Sequence, residues 1–264
     1  MADLQTLRVE RRDRGVARVV MSRPAVFNAF DEAMIGELDQ VFTQLADDPV
    51  VRVIVLAGDG KHFSAGADLE WMRRASNATQ EWNLQDARRF AAMLWRIDCC
   101  PKPTIARVQG AALGGGVGLV SACDIAVATD NASFAVSEAK FGILPSVIGP
   151  YLINAVGRRQ ARRLALTTQR IRADEACTIG LLHQVVPTEE LDAAIDAQVT
   201  DLLNGAPGAH AGIKRLFAAL DVGPITEDVR ELTAQTISRV RGGAEAKEGF
   251  AAFLDKRPAS WSAR

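Results

Sequence analysis

Val50-Val51-Arg52-Val53-Ile54-Val55-Leu56-Ala57 runs into Gly58-Asp59-Gly60 and then into Phe63-Ser64-Ala65-Gly66-Ala67-Asp68. The first stretch is short, apolar apart from Arg52, and rich in β-branched residues. Closed by glycines, it reads as a parallel strand buried on both faces. The second stretch reads as a turn leading into a helix. The same arrangement returns after Pro101-Lys102-Pro103. Thr104 to Val108 reads as a strand, and Gly110-Ala111-Ala112-Leu113-Gly114-Gly115-Gly116 as a turn into a short helix. Strand, turn and helix repeated in this way predict a parallel sheet with right-handed crossovers.

Working outward, Leu7 and Val9, a turn at Asp13-Arg14-Gly15, and Val16 to Met21 predict a β-hairpin. Met34, Ile35, Leu38, Val41, Phe42 and Leu45 share one face of a helix over roughly 31–46, with Asp31 as its N-cap. A loop and a helix over roughly 79–97 separate the two strands. Asp124 to Ala128 and Ser133 to Val136 predict two further strands. Beyond about residue 150 the pattern turns helical, at roughly 158–167, 173–179, 188–204, 209–220, 225–241 and 244–255. The expectation is a core over 1–200 and a helical C-terminal region over 201–264.

A chain of 264 residues can bury a sizeable core without disulfide or metal staples. Lys and Arg total 31 against 32 for Asp and Glu, a net charge of -1, which argues against a general nucleic-acid binder. The three histidines, His62, His183 and His210, are too few and too far apart for a helix-borne metal pair. Cys99, Cys100, Cys123 and Cys177 form no CxxC pair and read as buried free thiols in a reducing cytoplasm. Arg8 to Arg14 interrupt any apolar leader, and no run reaches the roughly 18 residues of a membrane helix. No membrane partner is expected.

Three motifs fail on inspection. Gly60-Lys61 lacks the glycine and hydroxyl residue of a phosphate loop, with Val55 and His62 in those places. Ser64 lacks the preceding glycine of a nucleophile elbow. Gly116-x-Gly118 continues to Ser121 where a dinucleotide fingerprint needs its third glycine. What remains is the pair of turns. Each directs free backbone N–H groups outward at a positive helix end. Two such turns side by side could aim two N–H groups at one oxygen, which is an oxyanion hole.

Taken with the strand that ends near Glu138, these residues resemble the crotonase family of enoyl-CoA hydratases and isomerases. The resemblance rests on Phe63-Ser64-Ala65-Gly66-Ala67-Asp68, Lys102-Pro103-Thr104-Ile105-Ala106 and Ala112-Leu113-Gly114-Gly115-Gly116. Cys123-Asp124-Ile125, Glu138 with Gly142 and Pro145, Ala173-Asp174-Glu175-Ala176, Val185-Val186-Pro187 and Phe250 to Arg257 continue it. It implies an α/β crotonase-like spiral of ββα units whose helical C-terminal region builds a homotrimer or a dimer of trimers. It also implies an acyl-CoA thioester substrate, with coenzyme A arriving as part of that substrate and no separate cofactor or metal. The family's oxyanion donors match the N–H groups of Ala67 and Gly115, and its α-carbon acid matches Glu138. Gly115, lacking a side chain, would let the thioester approach its N–H closely.

The family's frequent second glutamate is replaced here by Gly118. A single acid suits either hydration, with Glu138 serving both proton steps, or double-bond isomerisation. Phe63, Ala65, Asp68 and Gly114 match substrate-binding positions, and Phe253 and Lys256 match positions that reach the coenzyme of a neighbouring subunit. Leu69-Glu70-Trp71-Met72 and Ser137-Glu138 are similar to the methylglutaconyl-CoA and carboxygeranoyl-CoA hydratase types. The expected activity is hydration of an enoyl-CoA, branched or straight. The alternatives are a Δ3-Δ2 isomerase and, in a different class, a binding module on the same scaffold.

Overall fold

The computed structural model describes residues 4–220 and 223–262. Its strands are β1 (Leu7–Arg12), β2 (Val16–Met21), β3 (Val53–Gly58), β4 (Thr104–Val108), β5 (Ala111–Leu113), β6 (Ile125–Thr129), β7 (Ser133–Ala135), β8 (Ile171–Arg172) and β9 (Gln184–Val186). A six-stranded sheet has the order β1-β2-β3-β4-β6-β9, antiparallel only at the β1–β2 hairpin. β5, β7 and β8 form a smaller sheet.

β3 is buried at all six positions. Alternate side chains leave opposite faces of a strand, so Ile54 and Leu56 enter the main core while Val53 and Val55 enter a second one. That burial on both faces explains the near-continuous apolar run from Val50 to Ala57.

Four strands of the large sheet, β2, β3, β4 and β6, each hand the chain to a short outer segment before a helix. β2 leads to Phe30 and α1 (Glu32–Asp47), β3 to Ser64, α2 (Leu69–Asn77) and α3 (Gln80–Asp98). β4 leads to β5 and α4 (Gly115–Ala122), and β6 to β7 and α5 (Gly149–Thr167). The outer segments pair in parallel with one another: Phe30 with Ala67, Ser64 with Ala112, and β5 with β7. Successive ββα units stacked through both layers are the crotonase-like spiral. The chain then adds α6 (Ala173–Thr178), α7 (Leu191–Asn204), α8 (Pro207–Ala218), α9 (Glu227–Arg241) and α10 (Ala244–Leu254). α7 covers the second core with Leu191, Ile195, Val199 and Leu203.

Four expectations need correction. The helix expected after the Phe63–Asp68 turn is α2, capped by Asp68 and separate from α3, so the stretch before residue 79 is a loop only in part. α5 begins near 149 rather than 158; Gly157, at φ 74°, breaks its regularity and hides the first two turns from periodicity. The segment after 150 is not purely helical, since β9 pairs with β6 and completes the large sheet. Three residues are too few to show alternation. Finally, Cys100 and Cys123 are buried free thiols as expected, but Cys99 is exposed.

Candidate active site

The first turn is fixed from beneath. Asn28, at φ 55° and 0% exposed, donates from its amide to the carbonyls of Asp59 and His62, both at 2.8 Å. Asparagine tolerates this left-handed conformation better than most residues. The Ser64 hydroxyl donates to the Asn28 carbonyl at 2.9 Å and accepts from Gly66 N–H at 3.2 Å. Ser64 is therefore a buried brace, which removes it from nucleophilic chemistry. Phe30 N–H donates to Gly66 O, and Asp68 N–H to Phe30 O. Those two bonds flank Ala67 and leave its N–H facing away from the pairing.

The second turn is laced to the first. Ser64 N–H donates to Ala111 O at 3.1 Å, and Leu113 N–H to Ser64 O at 3.0 Å. Gly66 stands at φ 89°, and a Cβ there would lie 2.7 Å from Leu113 O, so glycine permits the close approach. Gly114 N–H donates to Ala135 O at 2.8 Å, and Gly114 O accepts from Val117 N–H. Gly115 is the first residue of α4, at its positive end. Among the described residues neither Ala67 N–H nor Gly115 N–H has a hydrogen-bond partner. Gly115 is buried and Ala67 half-buried, and buried backbone donors are nearly always satisfied. A pair left free on adjacent turns points to an acceptor supplied by a ligand.

Glu138 follows β7 and opens a short 3-10 turn over Glu138–Phe141. Its Oε1 lies 3.4 Å from the point a Cβ on Gly114 would occupy, which sets the carboxyl beside the second turn. Its Oε2 is buried and has no hydrogen-bond partner among the described residues. Burial pushes the Glu138 carboxyl above its ordinary range, against a smaller downward pull from the backbone N–H groups of Glu138 and Ser137. A carboxyl of this kind holds a proton more readily than one in water, as an acid that delivers a proton to carbon should.

Two glycines read differently in three dimensions. The space beside Gly115 is filled by Phe30, whose Cε2 would lie 2.8 Å from a Cβ. The Phe30 ring by itself requires glycine there. At Gly118 a Cβ would lie 3.0 Å from Ile148 Cβ and 3.5 Å from Leu94 Cδ1. Apolar side chains thus occupy the place of the second acid.

The other expected site residues separate. Ala65, half-buried, and Gly114 lie on the two turns. Asp68 is 8% exposed, and its carboxylate is engaged by Glu70 N–H at 2.8 Å, Trp71 N–H at 3.4 Å and Arg23 Nη2 at 2.9 Å. Phe63 is 0% exposed and packs in the main core, so its ring lines no surface path. That corrects its expected role in substrate binding. Phe253 is 81% exposed and Lys256 is exposed, both at the end of α10, and neither side chain has a hydrogen bond or ion pair to the two turns among the described residues. Two of the three histidines serve the scaffold: Nδ1 of His62 accepts from Ala111 N–H and Nδ1 of His183 from Ala126 N–H, each at 3.0 Å.

Sequence reasoning missed Phe30, Arg23 and Asn28, which precede the first strand–turn unit and carry no motif. It also missed Asp86, a carboxylate 6% exposed on α3. The signal at Asp86 was an acid among Trp82, Asn83 and Phe90 on one helical face.

A family model described as enoyl-CoA hydratase/isomerase matches residues 11–264. A crotonyl-CoA hydratase of Syntrophomonas wolfei is 33% identical over 258 residues, spanning 95% of both chains. A carnitinyl-CoA dehydratase of Citrobacter koseri is 33% identical over 266 residues, spanning 94% of this chain and 95% of its own. The crystal structure of an enoyl-CoA hydratase from Shewanella pealeana superposes with a TM-score of 0.94 at 40% identity, over 98% of this chain and 96% of the other. Among the described residues no helix is long and apolar enough to cross a membrane.

Proposed function

Because this chain belongs to the enoyl-CoA hydratase/isomerase family and is an enzyme of the hydro-lyase kind, we propose that it adds water across the α,β double bond of an enoyl-CoA. In this reading the thioester oxygen sits between Ala67 N–H and Gly115 N–H. The observation that carries it is the pair of unpartnered donors with the Glu138 carboxyl beside them. The Glu138 carboxylate takes a proton from water as the hydroxyl oxygen bonds to the β-carbon. The electron pair of the double bond moves into the thioester, and the two N–H groups hold the resulting enolate oxygen. Glu138 then returns its proton to the α-carbon, completing the addition of one water. Donors fixed by the turns stabilise that charge without reorganising. Coenzyme A enters only as part of the substrate.

The motifs around Trp71 and Glu138 support a branched enoyl-CoA such as 3-methylglutaconyl-CoA. The test is to incubate the protein with crotonyl-CoA, 3-methylglutaconyl-CoA and longer branched enoyl-CoAs, following loss of the conjugated thioester absorbance. Hydration of one or more is expected, and hydration of none would overturn the reading. Glu138→Gln should lower turnover by about 100-fold or more, as for loss of a general acid–base group; near wild-type turnover would remove Glu138 from that role.

Ile148 and Leu94 against Gly118 favour a second reading. With no second acid to activate water, Glu138 could instead move a proton from the α- to the γ-carbon of a 3-enoyl-CoA. Formation of a 2-enoyl-CoA from that substrate, without uptake of isotopically labelled water oxygen, would identify it.

A further inference from the structure

We propose that Asp86 is a positioning residue for the oxyanion donor of Gly115, acting through the Trp71 indole and the Phe30 ring. The proposal rests on the reading of Ala67 and Gly115 as the oxyanion donors. Asp86 lies on the inner face of α3, and its Oδ2 accepts from Trp71 Nε1 at 3.1 Å. Its nearest cation, Arg89 Nη2, is 3.7 Å from Oδ1. A buried carboxylate is costly to keep unless its hydrogen bond secures something.

What it secures is the indole. The Trp71 ring stands 6.2 Å from the Phe30 ring and 6.3 Å from Phe90, edge-on to the latter at 83°, while Phe30 and Phe90 are 5.3 Å apart. Phe30 in turn fills the space where a Gly115 side chain would stand. Close-packed groups transmit displacement. Asp86 therefore fixes Trp71, Trp71 with Phe90 fixes Phe30, and Phe30 fixes the backbone whose N–H meets the thioester oxygen. α2 buries no residue of its own, so the indole tie is a principal restraint on that side of the site.

The test compares Asp86→Ala, Trp71→Phe, Asp86→Asn and the Asp86→Ala/Trp71→Phe pair. Two probes separate placement of the donor from general binding. Acetoacetyl-CoA forms an enolate with its own near-ultraviolet absorbance, which reports the oxyanion hole without turnover. Butyryl-CoA, which does not enolise appreciably, reports binding alone. Asp86→Ala and Trp71→Phe should each lower kcat on an enoyl-CoA substrate about tenfold with KM within about twofold, the signature of lost transition-state stabilisation. Both should weaken the enolate signal while leaving butyryl-CoA affinity unchanged. Asp86→Asn keeps an acceptor for the indole and should retain both signals. The pair should be no worse than either single change, because both break one tie.

Wild-type behaviour of Trp71→Phe, or failure of Asp86→Asn alongside a normal Trp71→Phe, overturns the proposal. Should Asp86→Ala not fold, Trp71→Phe and Asp86→Asn still decide it. If the wild-type protein neither binds the enolate nor hydrates any enoyl-CoA, the oxyanion reading fails and takes the proposal with it. If it does both and every variant matches it, only the assignment of Asp86 falls.

Discussion

Glu138 holds a buried carboxyl oxygen that no group among the described residues satisfies, and stability and catalysis pull on it in opposite directions. Burial raises its folded-state pKa above the ordinary 4.5. Below that ordinary value both folded and unfolded chains are protonated, and the buried acid costs least. As pH rises through the raised folded value, the unfolded chain ionises first and the fold loses stability. Glu138→Gln should therefore be more stable than wild type at neutral pH, with the gap closing in acid, as denaturant unfolding across pH would show. A gap that does not change with pH would mean that Glu138 ionises freely. Gly118 makes a second case. A methyl there meets Ile148, so Gly118→Ala should cost about 1–3 kcal/mol by overpacking. Ile148→Ala in the same chain should recover part of that loss, and a cost that adds independently would place the clash elsewhere. The motif reading located both positions. It could not show that Gly118 is closed by a residue 30 positions away, because that contact depends on how α5 packs across α4.

At the scale of elements, α2 is the informative one. It has no fully buried residue, and polar ties at both ends add to the packing of Trp71 against the core. Asp68 caps its N-terminus, and Arg74 pairs with Glu32 on α1 at 2.6 Å. The Asn83 amide donates to Ala75 O at 3.1 Å. Burial pulls the Asp68 pKa up, but the Glu70 and Trp71 N–H groups and Arg23 outweigh it and leave the carboxyl below its ordinary 3.8. A depressed carboxylate contributes stability that is present above the unfolded value and lost as pH falls through the folded one. Asp68→Ala should cost about 1 kcal/mol at neutral pH through loss of the cap alone, and more with loss of the Arg23 pair. It should also lower turnover, since Ala67 is the adjacent residue. Asp68→Asn retains a capping oxygen and should show a flatter loss of stability in acid than wild type. Equal acid sensitivity of the two would show that Asp68 is not depressed. The cap Asp31 was visible in sequence, because a capping residue acts within its own turn. The bounds of α2 were not, because a helix that buries no residue has no apolar stripe to mark them.

Across the whole molecule, the parts most legible in sequence are those whose partners lie close along the chain. The hairpin, the twice-buried strands and the two glycine-bearing turns all announce themselves. β9 and the kinked start of α5 do not, since each is settled by what it packs on. The C-terminal helices pose the reverse problem, for their elements were legible and their packing is unfinished. Arg52 ties this region to the sheet by donating to the carbonyls of Gly205 at 2.9 Å and Trp261 at 3.1 Å. Yet across α8, α9 and α10 only Ala252 is buried. Phe217, Ile225, Ile237 and Phe250 are more than half exposed. Exposed apolar surface of this extent marks an interface. We propose a homotrimer, or a dimer of trimers, built through these helices, with Phe253 and Lys256 of one copy completing the coenzyme path of the next. Sedimentation should then give a mass near three or six times the 28.4 kDa chain. Phe217→Glu, which buries a charge at such a contact, should shift the protein toward monomer. Acyl-CoA affinity should fall with it, while the enolate signal at saturating acetoacetyl-CoA persists, because both oxyanion donors and Glu138 belong to one chain. A wild-type monomer at micromolar concentration would overturn the assembly. A dissociated Phe217→Glu with unchanged affinity would instead remove Phe253 and Lys256 from the coenzyme path.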